Sequence, residues 1–225
     1  MENAISIHLL ILPLPTYYIG EWPLSLEEKL SEIKSYSEEL GLDLRDSSDR
    51  FKWFLASILF AKRISAEIAK RTFQLFVREG LTSPDKILEA GWDRLVEILD
   101  SGGYVRYDFS TASNLLEIMR KLKDEYGSLE KLYEKASSPE DLERKLMDFK
   151  GVGPTCVNIF LRELRGIWDK AKPKPSKIAK EMAEMLGLKK IEPYESALVR
   201  LRLEYCKKKR CMECPVREYC GALRK

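Results

Sequence analysis

The chain has 225 residues, 44% hydrophobic and 33% charged, a balance that excludes intrinsic disorder and leaves length for a substantial core. Its longest apolar run, residues 4–14, is broken by Ser6, His8 and Pro13, too short to span a bilayer, and Glu2 stands where a signal peptide would be basic. The net charge of +3 hides a divide: residues 1–149 carry 20 Lys+Arg against 27 Asp+Glu, and residues 150–225 carry 19 against 9.

A basic third on an acidic chain suits a polyanion, nucleic acid first, or else is only a solvated surface. The single histidine, His8, excludes His-rich metal sites and HExxH or zinc deaminase chemistry, and speaks against a Ser-His-Asp triad.

In chain order, residues 5–12 read as a short strand or an apolar arm, and everything after them reads as helix. Ser25 with Glu28 forms a capping-box pattern opening a helix over 25–40. Helices are expected at 49–61, where Phe51, Phe54, Leu55, Ile58 and Leu59 share one apolar face with Trp53 beside them, and at 65–79. Ser83-Pro84 and Ser138-Pro139 each put a cap before a proline at the first helical position. They open helices at 84–90 and 139–149, with others at 92–100, 109–126 and 128–136. Gly80, Gly127, Gly166 and Gly187 read as helix ends. Helices at 154–165, 177–186 and 193–205 complete the series. Between the first two, Asp169-Lys-Ala-Lys-Pro-Lys-Pro-Ser176 is a stiff basic linker, since Pro173 and Pro175 stop helix. The expectation is an all-α protein. Residues 1–46 form an N-terminal extension packing on the core, 47–176 a helical domain, and 177–225 a C-terminal part that completes a lobe with the N-terminal residues.

Residues 146–165 hold the most informative short motif. A helix ends near Phe149, Gly151-Val152-Gly153 makes a tight turn, and a second helix starts at Pro154-Thr155. Glycines allow positive φ and close approach of a phosphate, and free amides at the second helix's start favour an anion. Such a hairpin holds a nucleic-acid backbone without reading sequence. The alternative is an αα-hairpin whose glycines serve only the turn.

Four of five cysteines fall in the last twenty residues, spaced Cys206-x4-Cys211-x2-Cys214-x5-Cys220. Without a secretory signal this reads as a metal site in a reducing compartment. One short pair flanked by single cysteines suits a [4Fe–4S] cubane, whereas structural zinc more often uses two short pairs. Lys207, Lys208, Lys209 and Arg210 fill the first loop, where they offset thiolate charge and are placed to touch phosphates. Cys156 stands apart and reads as a small buried core residue.

Hairpin and cysteines together, in this order, resemble the helix-hairpin-helix DNA glycosylase superfamily, in its iron–sulfur, endonuclease III-like branch. The segments Ala56–Lys62 and Gly102-Gly103-Tyr104-Val105-Arg106-Tyr107 look like that family's DNA-facing helix end and aromatic loop, so the likeness spans roughly residues 47–220. The resemblance implies two helical lobes, a [4Fe–4S] cluster on Cys206, Cys211, Cys214 and Cys220, and a monomer in the cytoplasm, at a prokaryotic nucleoid. It implies removal of a damaged or mispaired base from duplex DNA. It places Lys62, Arg106, Tyr107, Gly151, Val152, Gly153, Pro154, Thr155 and Lys207–Lys209 at the DNA. Two positions depart from the family. Thr155 stands where lyase-active members have lysine, so a Schiff base lacks its amine there. Ser176 stands where most members have aspartate; it can cap a helix but brings no charge. Asp108, then Asp169, are the expected substitute carboxylates, with Asp148 third. Lys62, Lys172, Lys174 and Lys177 are alternative amines. Weak or absent lyase activity is expected. The rival reading is an iron–sulfur protein that recognises lesions or DNA structure without cleavage.

Overall fold

The computed structural model describes residues 24–223, so the expected strand or arm at 5–12 lies outside the described residues. Among the described residues every regular element is helical. The first expected helix is divided: α1 spans Leu26–Ser31 and α2 spans Tyr36–Glu39. The cause is a second capping box. Ser35 accepts from the Glu38 amide while its own N–H donates to Glu38 at 2.6 Å, which starts a new helix four residues after the first ends.

The next elements follow the capping signals. Asp46 caps α3 (Ser47–Phe60) and Ser65 caps α4 (Ala66–Arg78). Ser83 caps α5 (Pro84–Ser101), whose two expected halves meet at Gly91, a kink with φ +73°. Only glycine takes that conformation cheaply. α6 (Asp108–Lys121) continues as a widened π-turn over Leu122–Tyr126, and α7 covers Leu129–Lys135. α8 (Pro139–Met147) and α9 (Pro154–Arg162) form the hairpin, and α10 (Lys177–Leu186) follows the linker.

The last expected helix is not uniform. It begins as a 3-10 turn at Glu192–Tyr194, becomes α11 (Glu195–Arg200), and loosens into a π-turn over Leu201–Cys206. Three 3-10 turns then carry the remaining cysteines.

Two hydrophobic cores result. The larger draws on α2 to α9, and Trp53, Phe54, Leu55, Ile58 and Leu59 of α3 are almost wholly enclosed in it. Trp53 Nε1 donates to the Phe160 carbonyl at 3.2 Å, and Phe54 meets the Phe160 ring edge-on at 5.2 Å. The Tyr104 hydroxyl donates to the Leu59 carbonyl at 2.9 Å, satisfying the one polar atom of a fully buried ring. The smaller core joins Leu26 and Leu30 of α1 to α10, α11 and Val216 of the cysteine loop. The N-terminal helices therefore serve both cores, and after the hairpin the chain crosses from the larger core to the smaller at the linker. No described helix is long and apolar enough to cross a membrane.

Candidate nucleic-acid interface

The hairpin is shaped by two close contacts. Gly151 has φ +78°, and a Cβ there would collide with the Asn114 side chain. Val152 and Phe149 point inward and anchor the turn to the larger core. Gly153 leads into α9, where Pro154 sits at a position whose N–H has no helical partner. Asp148, just before the turn, pairs with Lys121, which holds its carboxyl below the usual range. It serves the hairpin rather than a site.

α9 ends on a polar latch. Arg162 and Arg165 flank its C-terminus, and Asn158 lies a turn earlier. Arg165 Nη2 donates to the Pro173 carbonyl at 2.6 Å, and Nη1 to the Glu192 carbonyl at 3.1 Å. Its guanidinium also lies 2.7 Å from Glu195 Oε2, an ionic contact without good hydrogen-bond alignment. Glu195 Oε1 accepts from Asn158 Nδ2 at 3.0 Å and from the Ser176 amide at 2.8 Å. Asn158 further donates to the Lys174 carbonyl at 3.1 Å. The basic linker is thus pinned onto α9 by a carboxylate that is 1% exposed. A buried charge with this many partners is held in one geometry. Nothing in the sequence pattern announced Glu195, because its partners come from three separate segments.

Between the two cores lies a cavity of ≈1050 Å3. Three helices begin at its wall: α4 near Ser65, α9 at Pro154-Thr155 and α10 at Ser176-Lys177. Among the described residues six cationic side chains line it, namely Lys62, Arg63, Arg162, Lys174, Lys177 and Lys207, and no carboxylate does. α9 and α10 also carry no acidic residue in their first turns, so their partial positive charge is not cancelled from within. The chemical consequence is an anion-attracting cleft with apolar walls, including Phe60, Ile159 and Leu203.

The expected site residues divide over this geometry. Lys62, Pro154, Thr155 and Lys207 reach the cleft, as do Ser176, Lys174 and Lys177. Gly151, Val152 and Gly153 form the adjoining turn, with Val152 buried rather than presented. Lys208 pairs with Glu204 at 2.7 Å, and Lys209 is exposed with φ +55°, so the three loop lysines are not equivalent. Arg106 and Tyr107 stack on each other at 5.5 Å away from the cleft lining, beside the exposed Val105 and Phe109.

Neither expected carboxylate lines the cleft. Asp108 opens α6 and its Oδ1 accepts from the Phe109 amide at 2.7 Å, a helix-start role. Asp169 is exposed on the linker. The expectation for Asp108 rests on its place after Arg106-Tyr107, and that loop itself lies away from the cleft lining; Asp169 sits on the part of the linker before Lys174 and Ser176 reach the cleft.

Arg162 is the residue that sequence reasoning passed over. It is 7% exposed, its Nε has no hydrogen-bond partner, and burial lowers its affinity for the proton. A basic side chain directly after the apolar run Ile159-Phe160-Leu161 was the available signal.

The four C-terminal cysteines are gathered at the edge of the smaller core. Cys206, Cys214 and Cys220 are half-buried and Cys211 is exposed. Burial raises the Cys206 and Cys214 thiols, and the neighbouring thiols raise them further. Among the described residues no three Cys, His, Asp or Glu side chains stand closed around a metal-sized point. The donor set nevertheless suits a metal cluster: four thiols and no competing histidine, on a loop over 207–220 in which only Val216 is buried. So little apolar burial does not hold a loop of that length. Cys206, Cys211, Cys214 and Cys220 would hold a [4Fe–4S] cluster, which when bound supplies a covalent staple for the loop.

No family model matches the sequence, and no curated protein matches it.

Proposed function

We propose that this chain is a DNA repair protein of the helix-hairpin-helix glycosylase kind, gripping duplex DNA across the cleft between its cores at a damaged or mispaired base. The supporting observation is the convergence of the α9 and α10 N-termini with Lys62, Arg63, Lys174, Lys177 and Lys207 on one cavity that no carboxylate lines among the described residues. Phosphates bind such a surface without sequence preference. The hairpin would hold the backbone, the latch on Glu195 would fix the linker lysines, and a [4Fe–4S] loop would present Lys207.

Base excision with little strand cleavage is the activity that the resemblance implies, since Thr155 offers no amine for a Schiff base. A second reading, lesion recognition without excision, is favoured by one observation: among the described residues no carboxylate lines the cleft to stabilise a developing cation.

The test uses duplexes carrying uracil, hypoxanthine, oxidised guanine, an oxidised pyrimidine or an abasic site, incubated with full-length protein. Alkali-labile product without spontaneous nicking supports excision. Tight lesion-selective binding with no product supports the second reading. Equal, weak binding to every duplex with no product refutes both. Asp108→Asn and Asp169→Asn are expected to leave product formation or lesion binding unchanged, because neither carboxylate lines the cleft.

A further inference from the structure

We propose that the floor of the cleft is a binding site for a terminal phosphate, the phosphomonoester at a nucleic-acid strand end. The proposal rests on the reading of the cleft as a nucleic-acid interface and names the group that enters deepest. Arg162 carries the argument. It is more than nine-tenths buried, its Nε is unpartnered, and it forms part of the cavity wall with Tyr36, Ile159 and Val199. A desolvated guanidinium without a full set of acceptors favours an anion at that point.

The anion is drawn to the cleft side. The smaller groove that Arg162 also lines has its own carboxylates, Glu38, Asp43, Glu163 and Glu192, whereas among the described residues the cleft has none. Around the cleft, Lys62, Arg63, Lys174 and Lys207 have no ion pair among the described residues. Lys177 has only a loose one, 3.8 Å from Glu181.

A neutral base placed at this floor would leave Lys62, Arg63, Lys174 and Lys207 without a counter-charge; Arg162 feels Glu163 and Glu195, but neither lines the cleft. An internal phosphodiester carries one charge and is tethered on both sides, so it stays at the rim near the hairpin. A terminal phosphate carries about −1.5 to −2 charge, three acceptor oxygens and a single tether. It alone combines the charge with the reach. The start of α9, which has no side-chain cap, lines the same space, as does the start of α10, where Ser176 caps the Ala179 amide.

The test measures binding of a trinucleotide in four forms: 5′-phosphate, 3′-phosphate, and the two corresponding hydroxyl ends. Full-length protein is titrated by calorimetry, with an intact lesion-bearing duplex measured alongside. At least one phosphorylated form is expected to bind about tenfold tighter than its hydroxyl counterpart, the scale of a charge-assisted contact. Which end is preferred identifies the strand polarity. Arg162→Gln should abolish the preference. Because that variant alters a buried position, the exposed double variant Lys174→Ala/Lys177→Ala is run as well and should reduce it without affecting folding. Equal affinity for phosphate and hydroxyl ends overturns the proposal, as does a preference that survives in both variants. Failure of the duplex to bind, with the phosphate preference retained, would instead refute the proposed function and leave the phosphate site standing.

Discussion

At the scale of single residues, environment separates side chains of identical chemistry. Cys156 is fully enclosed and its thiol is pushed up to about 12, while the other cysteines lie at or near the surface. Native protein treated with iodoacetamide should therefore leave Cys156 unmodified, with modification appearing only in denaturant; peptide mapping reads this directly. Modification in the folded state would mean that the α9 core opens. Asp141 gives a pH-dependent case. Its carboxylate accepts from the Ser137 amide at 2.9 Å, foremost, and also faces Arg144 and Lys145, which together lower its pKa to about 2. A carboxylate with a depressed folded pKa contributes stability above its ordinary value, near 3.8, and that contribution fades as pH falls towards about 2. Asp141→Asn should lower the thermal midpoint at pH 7, with the gap from the parent shrinking at pH 2.5. A gap independent of pH would assign the loss to packing.

At the scale of elements, the hairpin and its linker act as one piece because of Glu195. Its carboxylate ties α11 to α9, to the Ser176 cap of α10 and, through Arg165 and Asn158, to the linker carbonyls. Removing one partner of a buried ion pair costs about 3 kcal/mol, because the other charge is left without compensation. Arg165 retains some solvent access, so Glu195→Ala should fall at or below that figure, measured by urea denaturation. Glu195→Gln, which keeps an acceptor for Asn158 and the Ser176 amide, should lose less. Equal losses would show that charge, rather than hydrogen bonding to the linker, is what the latch contributes. The cysteine loop is the opposite kind of element, with one buried apolar residue and four thiols. Protein purified without oxygen is expected to contain about four iron and four sulfide per chain. One tightly held zinc without sulfide would replace that assignment.

At the scale of the whole molecule, two cores meet across a cavity whose lining is cationic although the chain's net charge is only +3. Attraction of this kind is local and salt-sensitive. Duplex affinity should fall linearly with salt on a log–log plot, and each lost phosphate contact should reduce the slope by roughly one. Lys207→Ala should produce such a reduction, since Lys207 lines the cleft. Lys208→Ala should change the slope less, since Lys208 is already paired with Glu204. The reverse ranking, read by fluorescence anisotropy, would move the DNA contact from the cleft to the outer side of the loop.

Although α9 stops at Arg162, short of the end expected at Gly166, the sequence by itself determined the helical class, the capped starts at Ser25, Ser83, Ser138 and Ser176, the ends marked by Gly80, Gly127 and Gly187, and the burial of the α3 face. These are properties of short-range chemistry: a serine hydroxyl and an amide three residues on, or a 3.6-residue repeat. The break between α1 and α2 was also local, and the second capping box at Ser35 and Glu38 stands in the sequence. Only the tertiary structure decided which charges meet. Asp108 follows the aromatic loop and Asp169 lies in the basic linker, yet neither lines the cleft, while Arg162 lines it from the end of a largely apolar helix. Glu195, 37 residues from Asn158 and 19 from Ser176, became the hub of the linker because α11 packs against α10 and so brings its first residue beside Asn158 and the Ser176 cap. Electrostatic partners are set by where helix faces come to rest, and that depends on the whole packed chain rather than on any window of it.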